Sequence, residues 1–230
     1  MVPARDEARS LPRHLASVRV ATEAARAVAP EVRVRVTVVL DSCTDESARV
    51  LAGYPWLDVD EVHSGVVGEV RAHGVERARR MAAGVDPSHV WIACTDADTV
   101  VPEHWLSEQL RLAGTGCALV VGTVHPDPED VSPEVLRLWR ARHRLKEGHD
   151  HVHGANLGFT LAAYDAAGGF PPVRTAEDVA LVARMREAKV PWCSTARTQV
   201  MTSGRRRGRA PQGFATYLRA LAAEEALIVS

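Results

Sequence analysis

The sequence predicts an α/β fold with a mostly parallel central sheet flanked by helices. Two observations carry this. Apolar runs of strand character alternate along the chain with stretches whose apolar residues recur at helical spacing. Two of those runs also end in aspartate, at Asp41 and Asp96. In open parallel sheets ligands sit beyond the carboxyl ends of strands, so both acids are expected to face one crevice.

The first helix follows from Leu11, Leu15 and Val18 on one face, with Ser10 as its cap and Pro12 in its first turn. Arg33 to Asp41, "RVRVTVVLD", alternates and then turns wholly apolar, as a strand entering a buried sheet does. "SCTDESARVLAG" reads as a short helix closed by Gly53, and "VRAHGVERARRMAAG" as a longer one stopped by Gly84. "HVWIAC" is the next buried strand, "PEHWLSEQLRLAG" a helix and "CALVVGTV" a strand.

The second half is less regular. "VSPEVLRLWRARHRLKEG" predicts a helix capped by Ser132, with Pro133 at its first position. Val135, Leu138, Trp139 and Leu145 share one face of it, and Arg137, Arg140, Arg144 and Lys146 the other. "GANLGFTLAAYDAAGGF" gives a strand or turn, a short helix and a double-glycine stop. "TAEDVALVARMREAKV" is an amphipathic helix opening at Thr175. There is no internal repeat and no long linker, so a single domain is expected over residues 1–230.

Composition excludes several classes. With 46% hydrophobic and 25% charged residues the chain is ordinary for a globular protein. Its formal net charge of -1 offers no bulk attraction to nucleic acid. Cys43, Cys94, Cys117 and Cys193 form no C-x-x-C pair, so neither a zinc site nor a disulfide framework is indicated. No apolar stretch approaches the roughly 18 residues that span a bilayer. "MVPARDEARS" lacks a signal peptide's apolar core. A cytoplasmic location is expected, with contact at the inner membrane face as an addition to it.

Four motifs bear on chemistry. Asp96 and Asp98, in "CTDADTVV", place two like charges one residue apart, which raises their pKa values unless a cation or donors offset them. A turn explains such a pair; so does a Mg²⁺ or Mn²⁺ site, because these ions take one or two carboxylates plus substrate phosphates. Glu177 and Asp178 open a helix. Acids in a first turn, with Thr175 to Asp178 spaced as a capping box, explain them without function; the alternative makes one a general base. "SGRRRGR", Ser203 to Arg209, can fold over phosphates or be a plain basic loop. "GHDHVHG" reads as a polar loop from which one of His149, His151 and His153 reaches substrate.

Taken in order, "VPARDEARSLPRHLASV", "VVLDSCTDESA", "VRAHGVERARRMAAG", "CTDADTVVPEHWL", "HGANLGFTLAAYDAAGGF", "TAEDVAL" and "TSGRRRG" resemble glycosyltransferase family 2, the inverting enzymes of GT-A fold. The resemblance implies a sugar transferred from a UDP- or GDP-linked donor to a hydroxyl of a small or lipid-linked acceptor, with Mg²⁺ or Mn²⁺. It implies a nucleotide-binding half at 1–99 and an acceptor-binding half at 100–230. Pro3, Ala4, Arg5 and Glu7 then border the base and ribose, Asp41 reads the base, and Arg71 lies near the diphosphate. Asp96 and Asp98 are the D-x-D motif, with Asp98 the direct metal ligand. Gly154, Ala155 and Asn156 line the sugar and acceptor pocket. Asp178 is the catalytic base with Glu177 beside it, and Arg205, Arg206 and Arg207 help hold the leaving diphosphate.

Three departures from the family pattern stand out. The chain begins at Met1-Val2 where the family has a full apolar strand before "PAR", so either the strand is shortened or the true start lies upstream. The late histidine that related enzymes give to the metal is missing from "VMTSGRRRG", and with no transmembrane tail a processive membrane polymerase is not expected. The rival readings are a haloacid-dehalogenase-type phosphatase built on "DADTV", a sugar-nucleotide-binding module without catalysis, and a nucleotidyltransferase. The last lacks its glycine-rich N-terminal loop.

Overall fold

The structure, a computed structural model, describes residues 1–143, 145–205, 208 and 213–229, with side chains as far as 225. Strands β1 (Val2–Ala4), β2 (Thr37–Asp41) and β3 (Asp58–Val62) form a parallel sheet in the order β1-β2-β3. Strands β4 (Trp91–Cys94), β5 (Thr99–Val100), β6 (Leu119–Pro126), β7 (Leu157–Thr160) and β8 (Trp192–Thr202) form a mixed sheet in the order β4-β7-β6-β8-β5. The Met1 nitrogen donates to the Ala93 carbonyl at 2.7 Å, and the Thr95 N–H donates to the Met1 carbonyl at 3.3 Å. That is the bonding pattern of a parallel pair, and it joins β1 to β4.

The α/β class holds, and the first half is parallel as the strand–helix rhythm requires. In the second half β7 runs antiparallel to both its neighbours, β4 and β6. The β2 ladder starts at Thr37 rather than Arg33, because β1 and β3 begin to pair only there (Val2↔Val38, Thr37↔Asp58).

The helices are α1 (Leu11–Val28), α2 (Ser47–Leu51), α3 (Val67–Met81), α4 (Trp105–Gly114), α5 (Pro133–Arg142), α6 (Leu161–Ala166), α7 (Glu177–Glu187) and α8 (Phe214–Val229). Leu11, Leu15 and Val18 are buried, as the spacing predicts. Leu11 and Leu15 pack on Val38 and Leu40 of β2. Leu157, Phe159 and Leu119 of the mixed sheet pack with Leu181 and Met185 of α7. Trp105, Val124, Trp139, Leu218 and Leu221 form a third cluster, which ties α4, α5 and α8 to β6.

The caps show which polar groups are committed elsewhere. Ser132 does cap α5, its hydroxyl accepting from the Val135 N–H. Ser10 does not cap α1; its hydroxyl donates to Glu7 Oε2 at 3.0 Å, and the Glu7 carbonyl accepts from the Ser10 and Leu11 amides. The helix α5 ends at Arg142, so Leu145 lies beyond its apolar face, and Arg144 lies outside the described residues.

Asn156 explains an irregularity in the sheet. The β6–β8 register slips after Gly122↔Thr195, resuming at Val124↔Val200. The slip leaves carbonyls without ladder partners. Asn156 Nδ2 donates to the Thr123 and Thr198 carbonyls at 2.8 and 2.6 Å, and Oδ1 accepts from Trp105 Nε1 at 2.9 Å. A Cβ at Gly122 would lie 2.2 Å from Nδ2, so only glycine admits this side chain. Asn156 is therefore turned into the sheet and does not line the pocket, contrary to the expectation for it. Every polar atom of its amide is committed and it is 1% exposed.

Asn156→Ala removes three buried hydrogen bonds at once and strands both carbonyls. We expect a loss of about 2–4 kcal/mol in unfolding free energy by urea titration. A variant within 0.5 kcal/mol of the parent, roughly the noise of surface changes, would contradict this role.

Candidate active site

The carboxyl ends of β1, β2 and β4 open on one edge, since these strands run parallel. The residues that follow them line a single cleft of about 580 Å³. Pro3, Ala4, Arg5, Glu7 and Asp41 line it from β1, the loop after β1 and the end of β2. Arg71, Asp96 and Asp98 line it too, as do Gly154, Ala155, Glu177, Asp178 and Arg205. Of the expected site residues that the structure describes, all line this cleft except Asn156. Arg206 and Arg207 lie outside the described residues.

Asp41 is fixed by the loop after β3. Its Oδ1 accepts from Ser42 Oγ and from the Ser64 and Gly65 amides, and its Oδ2 accepts again from Gly65. The carboxylate thus sets the course of the chain into α3, which carries Arg71.

Arg71 is 2% exposed and bridges two acids. Its Nη2 donates to Asp96 Oδ1 at 2.6 Å and its Nε to Glu177 Oε1 at 2.9 Å. Burial alone would lower the pKa of the guanidinium; Asp96 and Glu177 outweigh it and push the pKa up. For Glu177 burial prevails over Arg71 and raises the carboxyl. Gly154 makes room for the bridge, because a Cβ there would lie 2.5 Å from Nη2.

Arg205 makes a second bridge. Its Nη1 donates to Glu7 Oε1 at 2.8 Å, and its Nη2 lies 3.1 Å from Asp98 Oδ2. Asp98 Oδ1 accepts from Thr202 Oγ1 at 3.4 Å. Burial pushes the Asp98 carboxyl up to about 6; Arg205 opposes this, and Asp96 and Glu7 add to it. Each acid of the D-x-D motif is thus held by a different arginine.

The opening of α7 departs from the capping-box expectation. Its first residue is preceded by Ala176 at φ 60° and ψ 24°, a left-handed conformation that disfavours non-glycine residues, and no side chain caps the helix. The turn sends both acids elsewhere. Glu177 goes to Arg71. Asp178 Oδ2 accepts from the Gly154 N–H at 2.5 Å and its Oδ1 from the Val179 N–H at 2.8 Å. Each carboxylate oxygen has two lone pairs, so Asp178 keeps acceptor capacity towards the cleft.

One wall was foreseen only at a histidine: of the three in "GHDHVHG", His153 lines the cleft, and the rings around it were not expected. Trp139, His143, His153, Phe214 and Tyr217 also line the cleft. Their rings form a continuous aromatic cluster: Trp139 stacks on His143 at 3.4 Å between centroids and meets Phe214 and Tyr217 edge-on at 5.1 and 5.6 Å. Burial, with help from His151 and His143, lowers the pKa of His153 to about 3, so this wall histidine is neutral at physiological pH. Arg174 stands exposed at the rim. Helical spacing predicts that Trp139 is buried, which it is, but it cannot show that the buried ring also faces a cavity.

The residues present fit a divalent cation. Among the described lining residues six carboxylates face four arginines, a surplus of two negative charges. Asp98 is largely but not fully buried and only partly compensated, and it offers the hard oxygens that Mg²⁺ and Mn²⁺ prefer. Asp96 is less suited to the phosphatase reading, because a nucleophilic aspartate is needed there and this one is ion-paired to a buried arginine. The one other cluster of metal-ligating type among the described residues is Asp6, Cys43 and Asp45, in the loops beside Glu7. No helix among the described residues is long and apolar enough to cross a membrane.

Comparison with known proteins is consistent with this architecture. No curated protein sequence matches the chain. Solved structures do match its fold. A mannosyltransferase from Pyrobaculum calidifontis, in complex with GDP-Man and Mn²⁺, superposes with a TM-score of 0.61 at 19% identity, over 98% of this chain and 60% of its own. The chain thus spans less than two thirds of that protein. Glucosyl-3-phosphoglycerate synthase from Mycobacterium tuberculosis, in complex with Mn²⁺, UDP and phosphoglyceric acid, gives 0.55 at 15% identity, over 97% and 76%. Mannosyl-3-phosphoglycerate synthase from Rubrobacter xylanophilus gives 0.51 at 13% identity, over 98% and 72%. These likenesses establish the GT-A fold. The model of Glycosyl transferase family 2 matches residues 1–166, nearly three quarters of the sequence, and the chain therefore belongs to glycosyl transferase family 2.

Proposed function

We propose that this chain transfers one hexose from a nucleoside-diphosphate sugar to an acceptor hydroxyl, inverting the anomeric carbon. The observation that carries the reading is the convergence of Asp41, Asp96, Asp98 and Asp178 on one cleft. The neighbouring structures with GDP-Man and with UDP support a donor of this class. Residues 1–99 supply the nucleotide-binding half and residues 100–230 the acceptor half.

Pro3, Ala4, Arg5 and Glu7 border the nucleoside, and Asp41 fixes the loop against its base. Arg71 holds Asp96 and Glu177 in place beneath the diphosphate and sugar, and Gly154 and Ala155 shape the pocket around the sugar. Asp178 takes the proton from the acceptor hydroxyl. The resulting oxygen attacks the anomeric carbon from the face opposite the phosphate, and the bond to phosphate oxygen breaks with its electron pair staying on the diphosphate. Arg205, with Arg206 and Arg207, offsets the charge that develops there. Asp98 would hold Mg²⁺ or Mn²⁺, which supplies further compensation of the diphosphate charge when bound.

The acceptor is small or lipid-linked and meets the aromatic wall beside Asp178. The exposed Arg137 and Arg140 of α5 give an anionic headgroup a place to rest, which would bring the protein to the inner membrane face.

Asp178→Asn removes the base and keeps the side chain's size, at the cost of one of the two backbone hydrogen bonds it accepts. Transfer should fall by about 10²–10⁴-fold, while calorimetric affinity for the nucleoside diphosphate stays within error. Turnover at the parent rate would refute the assignment. Arg71→Lys loses the two-acid fork. We expect a drop of about 1–3 kcal/mol in stability, because the ammonium keeps the charge but leaves one of the two acids without its hydrogen bond, together with impaired transfer. Parental values for both would show that the bridge is dispensable.

A further inference from the structure

Arg205 sits where a cation bound to Asp98 has to compete. It is two-thirds buried by side-chain exposure (33%), and its fork is shared between Asp98 and Glu7. Burial opposes its charge, but Asp98 and Glu7 outweigh burial and push its pKa up, so it stays charged and cannot yield by losing a proton. Thr202 and Ser203, the two residues at the base of this arm, also hold Asp98: Thr202 Oγ1 donates to its carboxylate and the Ser203 amide donates to its carbonyl at 3.1 Å. The arm is thus built to return Arg205 to the D-x-D motif.

We propose that Arg205 is a resident counter-cation of Asp98 that couples metal binding to diphosphate binding. In the donor-free protein its guanidinium occupies Asp98 and weakens the site for a divalent ion. A diphosphate offers the same guanidinium a stronger, bidentate anionic partner. When Arg205 turns to the diphosphate, Asp98 is released to the metal. The two ligands therefore bind with positive cooperativity, and by linkage each strengthens the other by the same factor. The inference rests on the reading of Asp98 as a metal ligand.

The test needs no turnover. Mn²⁺ is titrated into the full chain, free ion being read from its electron paramagnetic resonance signal, with no nucleotide and then with saturating GDP or UDP. In the parent, Mn²⁺ alone should bind weakly and the nucleoside diphosphate should tighten it. In Arg205→Gln, Mn²⁺ alone should bind about threefold tighter or more, the worth of releasing one partly exposed ion pair. Enhancement by the nucleotide should shrink correspondingly, and nucleotide affinity should fall. Arg205→Lys, which keeps the charge and loses the fork, should lie between. Mn²⁺ affinity that is unchanged or weaker in both variants, or undetectable in every variant without nucleotide, overturns the proposal. Asp98→Ala separates the two layers. If it abolishes Mn²⁺ binding while Arg205→Gln fails to tighten it, only the coupling is wrong; if it leaves Mn²⁺ binding intact, the metal assignment falls as well.

Discussion

The cleft depends on one buried cation. Arg71 reaches from α3 to Asp96 at the end of β4 and to Glu177 at the start of α7, so three elements distant in sequence share one guanidinium. Planar forked donors make this possible; a lysine ammonium has the charge without the fixed geometry. The cost of burying an unpaired charge makes Arg71 the group on which the arrangement depends. Remove Arg71 and both acids lose their cation, Glu177 in a poorly solvated place; remove one acid and the guanidinium still pairs with the other but loses half of its fork. That is a severe constraint on the neighbours as well, and Gly154 meets it by having no side chain to collide with the fork.

From this bridge the placement of Asp178 follows. Glu177 is pulled down onto Arg71, so the next residue of the helix is turned towards the strand-end loop, where the Gly154 amide receives its carboxylate. The left-handed Ala176 is the backbone expression of the same demand. A helix start free to choose its own cap would not need that conformation. The strain is local and modest, of order 1 kcal/mol, and is sustained by the ion pairs on either side. The second bridge, Glu7–Arg205–Asp98, repeats the device on the opposite side of the D-x-D motif with a more exposed arginine. The deeper bridge is suited to holding position, the shallower one to exchanging partners.

Much of this was legible in the sequence. The ends of β2 and β4 were visible because apolar runs stop abruptly at Asp41 and at the Asp96 turn, and strand ends in α/β chains point to the ligand side. The roles of single polar residues were harder to read, because they depend on partners far away in the chain. Thr175 to Asp178 has the spacing of a capping box, yet Arg71, more than 100 residues earlier, claims Glu177. Asn156 looks like part of a pocket loop, but a slip in the β6–β8 register turns its amide inward. Strand β3, "DVDEV", carries acids that depress strand propensity and is tolerated as an edge strand beside β2. Strand β8 is long, but its bulge breaks the alternation by which strands are recognised. The aromatic wall was hidden because apolar periodicity reports burial and not whether the buried face borders a cavity.

The central claim is that donor loops and the start of α7 form one mechanically linked site. Hydrogen–deuterium exchange of the full chain, with and without a saturating nucleoside diphosphate and Mn²⁺, tests it most directly. The account predicts slowed exchange at the amides of residues 64–71 and 96–98, and also at Gly154 and Val179, which are reached through Arg71 and Asp178. Protection confined to surfaces away from the cleft, or absent at Gly154 and Val179 with both GDP and UDP, would contradict it.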